Sequence, residues 1–358
     1  MNYKDAMTIR ISNETEKIVS TLPDFARKYF DYIEGLELSP LTRKQYAYDM
    51  KMFFTYLENE AGFKNVDMTT LTAADVLDSL TLDDINEYLK SMRTYTVTDR
   101  NGRQVEKLYS PSIRARRMST LRSFYKHYYE IGEIKNNLST LIPVPKIPEK
   151  VINVLERDQV SRILDAVFDT EGMSEGEMKR NEKVRVRDYA ILMLFFGTGI
   201  RVSELVGIDA DDVDFYNCSI KVTRKGRDED TVFFGPEVED ALTEYMERSR
   251  PLLSGGEAID ALFLSNRRKR MEVRTIEIMI KNYAKKAGLN VKVTPHTLRR
   301  TYGTNLYEET GDIYLVADAL AHSSVNTTVK HYAKMSQDHK RIAAMQSSSL
   351  FSERERGK

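Results

Sequence analysis

The chain has 358 residues, 54 basic and 54 acidic side chains, and a formal net charge of zero. Its length favours two domains, and its single cysteine excludes an internal disulfide and a cysteine-rich zinc site. No apolar run approaches about twenty residues and the N-terminus lacks a signal-peptide pattern, so the sequence predicts a cytoplasmic protein without a membrane span.

The first part of the chain is typical of a small helical bundle. Helical spacing runs through residues 22–60, with Ser39 and Pro40 as an N-cap and first-turn pair. Further helices are predicted from Thr81 and over about 112–129. Between them, residues 94–109 alternate around an Asn-Gly dipeptide, which predicts an inserted β-hairpin. A buried stripe of the second helix is predicted at Tyr46, Met50, Phe53, Phe54 and Leu57.

A proline-rich stretch, LIPVPKIPEKVINVL, predicts an extended linker and a domain boundary near residue 148. After it, ERDQVSRILDAVF favours a helix, and the polar residues 170–186 favour a loop. An apolar helix then ends at a Gly-Thr-Gly turn, and alternation around a polar turn at 225–230 indicates a short antiparallel sheet. The remainder, through Tyr332, has helical spacing. The predicted fold class is therefore mainly α with a small antiparallel β-sheet, an α+β protein.

Six residues of the second domain form a set suited to phosphodiester chemistry. Two arginines can neutralise phosphate oxygens with their planar forks, a lysine and two histidines can exchange protons or hydrogen-bond, and a tyrosine hydroxyl can attack phosphorus. Taken alone, each match is more typical of a surface or turn residue. The six residues are Arg201, Lys225, His296, Arg299, His322 and Tyr332.

The local settings of these residues support the set. Arg201 follows the Gly-Thr-Gly turn, and Lys225 lies in the turn between two predicted strands. Thr294 and Pro295 cap a helix, so His296 and Arg299 share one face at i, i+3 spacing. His322 stands at a helix start before two serines, and Tyr332 follows ten residues later, whereas nearby tyrosines such as Tyr302 are credible structural residues.

The ordered motifs resemble the tyrosine recombinase family, also called the phage integrase family, and especially its Xer-like and simple-integrase members. The resemblance covers about residues 22–340 through SPLTRKQYAYDMKMFFTYL, RDYAILMLFFGTGIRVSEL, the RKG turn, TPHTLRRTYGTNL and LAHSSVNTTVKHYA. It implies a helical, SAM-like core-binding domain over 1–148 and a catalytic domain over 149–358 that together clamp duplex DNA. A tail over about 336–358, with an amphipathic helical pattern, would dock on a neighbouring subunit.

The resemblance also implies a role for each of the six residues. Arg201 and Arg299 would hold the scissile phosphate, and Lys225 would protonate the leaving 5′ oxygen. His296 would assist as a base and His322 would hydrogen-bond the phosphate. Tyr332 would form a covalent 3′-phosphotyrosine link. No cofactor and no metal is predicted, because the linkage conserves the phosphodiester energy and the basic set lacks a two-metal carboxylate cluster.

The implied partner is double-stranded DNA with an inverted-repeat core site, and the implied location is the cytoplasm, in association with the nucleoid. The protein would act as a homotetramer on two sites through a Holliday junction, and would be a monomer or weak dimer without DNA. Candidate DNA contacts are Lys44, Arg114, Arg117, Arg267 and Arg268, although phosphate contact is the commoner role of such residues.

Three departures from the family pattern and two other classes of function qualify this interpretation. The lysine turn reads Arg-Lys-Gly where many members have Gly-Lys-Gly, residues 94–109 and 170–186 are interpreted as insertions, and about twenty residues precede the core-binding pattern, too few for a separate arm-binding domain. The alternatives are a type IB topoisomerase or telomere-resolving enzyme, and a DNA-binding regulator with an unused catalytic domain. The sequence does not separate chromosome-dimer resolution from mobile-element integration or excision.

Overall fold

The computed structural model describes residues 3–60, 63–64, 66–99, 101–148, 153–171, 174–224 and 229–321, together with residues 325 and 329. These residues form mainly α-helices with two small antiparallel sheets, which confirms the predicted fold class. The chain divides into two compact units, Met1–Lys150 and Val151–Lys358. Within the described residues, no helix has the length and apolar character that crossing a membrane requires.

The first unit is a helical bundle with a hairpin. Its helices are α1 (Tyr3–Val19), α2 (Asp24–Gly35), α3 (Pro40–Glu60), α4 (Ala73–Leu77), α5 (Leu82–Ser91) and α6 (Pro111–Glu130). The hairpin strands β1 (Thr94–Thr98) and β2 (Gln104–Leu108) pair with Val97 opposite Val105, around the predicted turn. Thr81 caps α5 through a capping box with Asp84, as its sequence favours.

The core of the first unit is rich in aromatic residues. Four of the five residues predicted as the buried stripe of α3 are at most 3% exposed, and Tyr46 packs against them half-buried. Phe124 of α6 meets Tyr29 of α2 edge-on, with ring centroids 5.0 Å apart. The sequence did not predict α1, because this helix buries only Thr15 and Ile18 and so carries almost no apolar periodicity.

The second unit places its helices around a small sheet. The helices are α7 (Arg157–Phe168), α8 (Glu175–Thr198), α9 (Val202–Gly207), α10 (Pro236–Glu244), α11 (Arg250–Ser254), α12 (Val273–Lys286), α13 (Pro295–Thr310) and α14 (Ile313–Ala319). A π-helical turn, Tyr245–Ser249, joins α10 to α11. The strands β3 (Val213–Asp214), β4 (Ser219–Thr223) and β5 (Glu229–Phe233) form the predicted antiparallel sheet in sequential order.

The prediction of a loop over residues 170–186 is wrong from Glu175 onward. Helix α8 begins there and continues without a break into the apolar segment that ends at Thr198. Polar composition alone indicated a loop. However, adding one residue to an existing helix costs much less free energy than nucleating a new helix. The buried C-terminal half of α8, where Leu192 and Phe195 are fully buried, therefore stabilises its charged first turns.

Candidate active site

Arg201 is held where α8 gives way to α9. The turn between them depends on Gly199, whose φ is +62° and whose carbonyl faces the interior of the site. A Cβ at this position would lie 2.4 Å from a ring carbon of Tyr302 and 2.9 Å from a methyl of Leu320. Only glycine combines this left-handed backbone with so close an approach, and Arg201 follows two residues later as the N-cap of α9.

Glu204 fixes both the backbone and the side chain of Arg201. Its carboxylate accepts a hydrogen bond from the Arg201 backbone N–H at 2.9 Å and another from Arg201 Nη1 at 2.7 Å. Glu204 is 5% exposed, while the Arg201 side chain is 37% exposed. Glu204 is not among the six predicted site residues, although its position three residues after Arg201 is the local signal for a capping partner.

Arg299 enters the site from α13. Thr294 caps this helix through a capping box with Thr297, and Pro295 occupies the first turn, as predicted. Arg299 is 5% exposed and donates from Nη1 to the Gly199 carbonyl at 2.6 Å and from Nη2 to the Leu320 carbonyl. The glycine turn therefore anchors one of the two predicted phosphate-binding arginines as well as leading into the other.

The two arginines converge on the C-terminal end of α14. Arg201 Nη2 donates to the Ala321 carbonyl at 3.0 Å and to the Leu320 carbonyl at 3.4 Å, and the Leu320 carbonyl also accepts from Arg299. Leu320 is held in place because it packs, fully buried, with Val316 against Tyr302 and other side chains of α13. The structure thus brings two guanidiniums from separate elements to one carbonyl oxygen.

The remaining four predicted residues are placed only in part. His296 is exposed on the first turn of α13, three residues before Arg299. Lys225, His322 and Tyr332 lie outside the described residues. Their nearest described neighbours in the chain are Arg224, at the end of β4, and Ala321, after α14, and both belong to the network around Arg201.

Two titratable side chains around the site have shifted pKa values. Burial raises the pKa of the Tyr302 phenol, against a smaller lowering by Arg299, so Tyr302 is poorly suited to act as a nucleophile and packs instead against Gly199. Burial also acts to raise the pKa of Asp230, but hydrogen bonds from Arg224 and the Thr231 N–H outweigh it, so this carboxylate has a lowered pKa.

The predicted DNA contacts of the first unit are largely engaged within the protein. Arg117 is 9% exposed and lies with its guanidinium carbon 4.4 Å from the centroid of the Tyr109 ring. Its contact with DNA stays a prediction, and its burial against Tyr109 makes it the least accessible of the five candidates. Arg114 donates to the Leu89 carbonyl at 3.3 Å, and Lys44 pairs with Glu14.

The predicted contacts of the second unit lie on a surface turn. Arg267 and Arg268 are both exposed, and Arg268 pairs with Glu257 at 2.7 Å. Their exposure leaves them as candidates for phosphate contact.

Comparison with known proteins identifies the family. Residues 153–339 match the model of the phage integrase family. The chain is 30% identical over 317 residues to the tyrosine recombinase XerC of Caldanaerobacter subterraneus subsp. tengcongensis, covering 86% of this chain and 82% of that protein. The chain therefore belongs to the phage integrase family. The predicted resemblance to Xer-type tyrosine recombinases, and with it the enzyme class, is confirmed.

Two solved structures share the fold. The first is the XerH site-specific recombinase bound to palindromic difH substrate in a post-cleavage complex, with a TM-score of 0.62, 18% identity and 96% of each chain covered. The second is a lambda integrase tetramer bound to a Holliday junction, with a TM-score of 0.60, 16% identity, and coverage of 86% of this chain and 76% of that chain. At these identities the similarity concerns the fold.

Proposed function

We propose that this protein is a site-specific recombinase that cuts and rejoins duplex DNA through a 3′-phosphotyrosine intermediate on Tyr332. The observation that carries the proposal is the convergence of Arg201 and Arg299 on the Leu320 carbonyl. Two charged forks aimed at one oxygen suit a phosphodiester, whose non-bridging oxygens carry the charge that must be neutralised during cleavage. The family membership supports the same chemistry.

In the proposed reaction, the Tyr332 hydroxyl attacks the scissile phosphorus and gives its proton to a base, the role assigned to His296. A phosphorus–oxygen bond to tyrosine forms as the bond to the 5′ oxygen breaks, and Lys225 protonates the departing oxygen. His322 hydrogen-bonds a non-bridging oxygen. Attack by a 5′ hydroxyl of a partner strand reverses these steps and restores a phosphodiester, so no external energy source enters the reaction.

The two arginines would divide the work of holding the phosphate. Arg299 is buried and hydrogen-bonded to two backbone carbonyls, so its guanidinium is held in a fixed position. Arg201 is 37% exposed and its guanidinium is available to an incoming phosphate. Glu204 fixes the backbone and Nη1 of Arg201, so a phosphate would only need to take the place of the Leu320 and Ala321 carbonyls at Nη2, which favours a preorganised site.

We propose that the assembly is a homotetramer on two inverted-repeat sites, joined through a Holliday junction. The palindromic substrate of XerH and the tetramer of lambda integrase support this by similarity of fold. The helical unit Met1–Lys150 would serve as the core-binding domain, and residues 336–358, which lie outside the described residues, would dock on a neighbouring subunit. With chromosomal DNA as substrate, the protein would act at the nucleoid.

A covalent-capture experiment tests the proposal. The core site is first selected from random duplexes and mapped by footprinting. A copy with a nick near the cleavage position then traps the covalent intermediate, because the short fragment that carries the 5′ hydroxyl diffuses away. The unaltered protein should form a denaturation-resistant adduct, whereas Tyr332→Phe should bind the same DNA without forming one. Intact binding without any adduct would support a regulator instead, and relaxation of a plasmid lacking the site would support a topoisomerase.

A further inference from the structure

The carboxylate of Glu204 is shared by two arginines from different elements. Arg201 Nη1 lies 2.7 Å from Glu204 Oε1. On the other side, Arg224 Nη1 lies 3.3 Å from Oε1 and 3.2 Å from Oε2. Glu204 is almost fully buried, with a side chain 4% exposed, and Arg224 is 11% exposed. Glu204 therefore binds a second guanidinium, the third of the site, which the six predicted residues do not include.

Arg224 is fixed at the base of the hairpin formed by β4 and β5. Its Nε donates to Asp230 Oδ2 of β5 at 2.7 Å, while its Nη1 reaches Glu204 of α9. The planar guanidinium presents donors in two directions, so this one side chain contacts both carboxylates at once. Asp230 is 44% exposed, so of the two carboxylates only Glu204 is deeply buried.

We infer that Arg224 is a positioning residue for phosphate binding: it neutralises Glu204, so that the charge of Arg201 is left for the DNA phosphate. With one arginine, a buried carboxylate and Arg201 would form a neutral pair that attracts a phosphate weakly. With two, the buried group of Arg201, Glu204 and Arg224 carries one net positive charge next to Arg299, while the charge of Asp230, which is 44% exposed, is screened by solvent. The inference rests on the proposed function, because it assigns Arg201 to the phosphate.

A competing role for Arg224 would be to hold the turn that carries Lys225, its next residue in the chain. The two roles make opposite predictions for altered substrates. A methylphosphonate at the scissile position removes the negative charge that Arg201 must neutralise. A 5′-bridging phosphorothiolate instead supplies a sulfur leaving group that needs no proton from Lys225.

The test compares single-turnover cleavage by the full-length protein and two variants. Arg224→Gln removes the charge but keeps an amide that can donate to Glu204, and Arg224→Lys keeps the charge. We expect Arg224→Gln to cleave the natural phosphodiester roughly tenfold more slowly, and to match the unaltered protein on the methylphosphonate. Arg224→Lys should recover most of the loss. Arg248→Ala, which removes an exposed arginine outside this network and leaves the pairing of Arg224 with Glu204 intact, serves as the control and should cleave normally.

Three results would overturn the inference. One is an equal loss for Arg224→Gln on the phosphodiester and the methylphosphonate, the second is rescue by the phosphorothiolate alone, and the third is the absence of any loss for Arg224→Gln. Failure of the proposed function is distinguishable, because the unaltered protein would then form no adduct on any of the three substrates. That third result, in which Arg224→Gln cleaves every substrate as fast as the unaltered protein, would reject only the role of Arg224 and not the proposed function.

Discussion

Gly199 determines, as a single residue, how the two arginines meet. Its left-handed backbone ends α8 and directs its carbonyl to Arg299, while the lack of a side chain admits Tyr302 and Leu320. The same turn leads into Arg201. The geometry of the proposed phosphate site therefore depends on a position that carries no functional group.

Replacing Gly199 should damage both stability and cleavage. In Gly199→Ala, the left-handed conformation costs about 1–2 kcal/mol, and the contacts with Tyr302 and Leu320 add about 1–3 kcal/mol of overpacking. We expect a fall of that combined size in the free energy of unfolding, measured by urea denaturation, together with slower adduct formation. Gly311→Ala is the matched control: its φ is +68° with open space around the Cβ, so it should lose only the backbone part. Equal losses in the two variants would contradict the role of close approach.

The sequence predicts site residues whose chemistry suits phosphate binding, but it does not predict residues whose role depends on a tertiary contact. Arg201 and Arg299 could be predicted because arginines in ordered motifs suit phosphate binding. Arg224 could not, because its value depends on where β4 ends relative to α9, and that distance is set by tertiary packing. The burial of Arg117 was hidden for the same reason: a basic cluster indicates an exposed surface, whereas the contact of Arg117 with Tyr109 is set by tertiary packing.

The hairpin of the first unit is largely exposed to solvent. All residues of β2 are exposed and those of β1 are exposed or half-buried. Tyr95 contacts Tyr109 at its base, with ring centroids 4.4 Å apart. A two-stranded hairpin has little stability of its own, so the outer part of this one adds little to the core.

Shortening the hairpin should therefore leave the first unit stable. Replacing 97–105 by Asn-Gly joins the paired residues Thr96 and Glu106 through a two-residue turn. We expect the free energy of unfolding to change by less than about 1 kcal/mol. Leu77→Ala, at a fully buried position, should cost about 2–5 kcal/mol. A comparable loss in the shortened protein, measured by chemical denaturation, would show that the hairpin supports the core.

Elements with strong local signals were predicted well, and those formed by context were not. The Asn-Gly hairpin, the Thr81 capping box and the stripe of α3 all have short-range sequence signatures. The first turns of α8 and all of α1 lack such a signature. The first turns of α8 extend a helix whose buried half lies further along the chain, and α1 buries only Thr15 and Ile18. Composition indicated a loop at α8 where helix propagation prevailed.

At the scale of the whole molecule, each unit has its own interior. The aromatic core of the first unit draws its buried members from residues 18–142, and the two arginines of the proposed site both belong to the second unit. The proposed catalytic site is therefore built within one unit, as the proposed division into core-binding and catalytic domains requires.

The proposed tail contact should matter for exchange and not for cleavage. Deleting residues 340–358 leaves the arginine network intact, so a single subunit should still form its adduct on the nicked site. Assembly on two sites should weaken by about tenfold or more, because contacts between DNA-bound subunits act at high effective concentration. Recombination between two plasmid-borne sites measures this effect. Full recombination by the shortened protein would reject the tail contact.

The position of the covalent bond tests the central claim most directly. The trapped adduct is digested with nuclease and trypsin, and the modified peptide is sequenced by mass spectrometry. The account predicts a nucleotide remnant on the tyrosine of the peptide spanning residues 331–334, attached through its 3′ phosphate to Tyr332. A remnant on any other side chain, or one attached through a 5′ phosphate, would contradict the account.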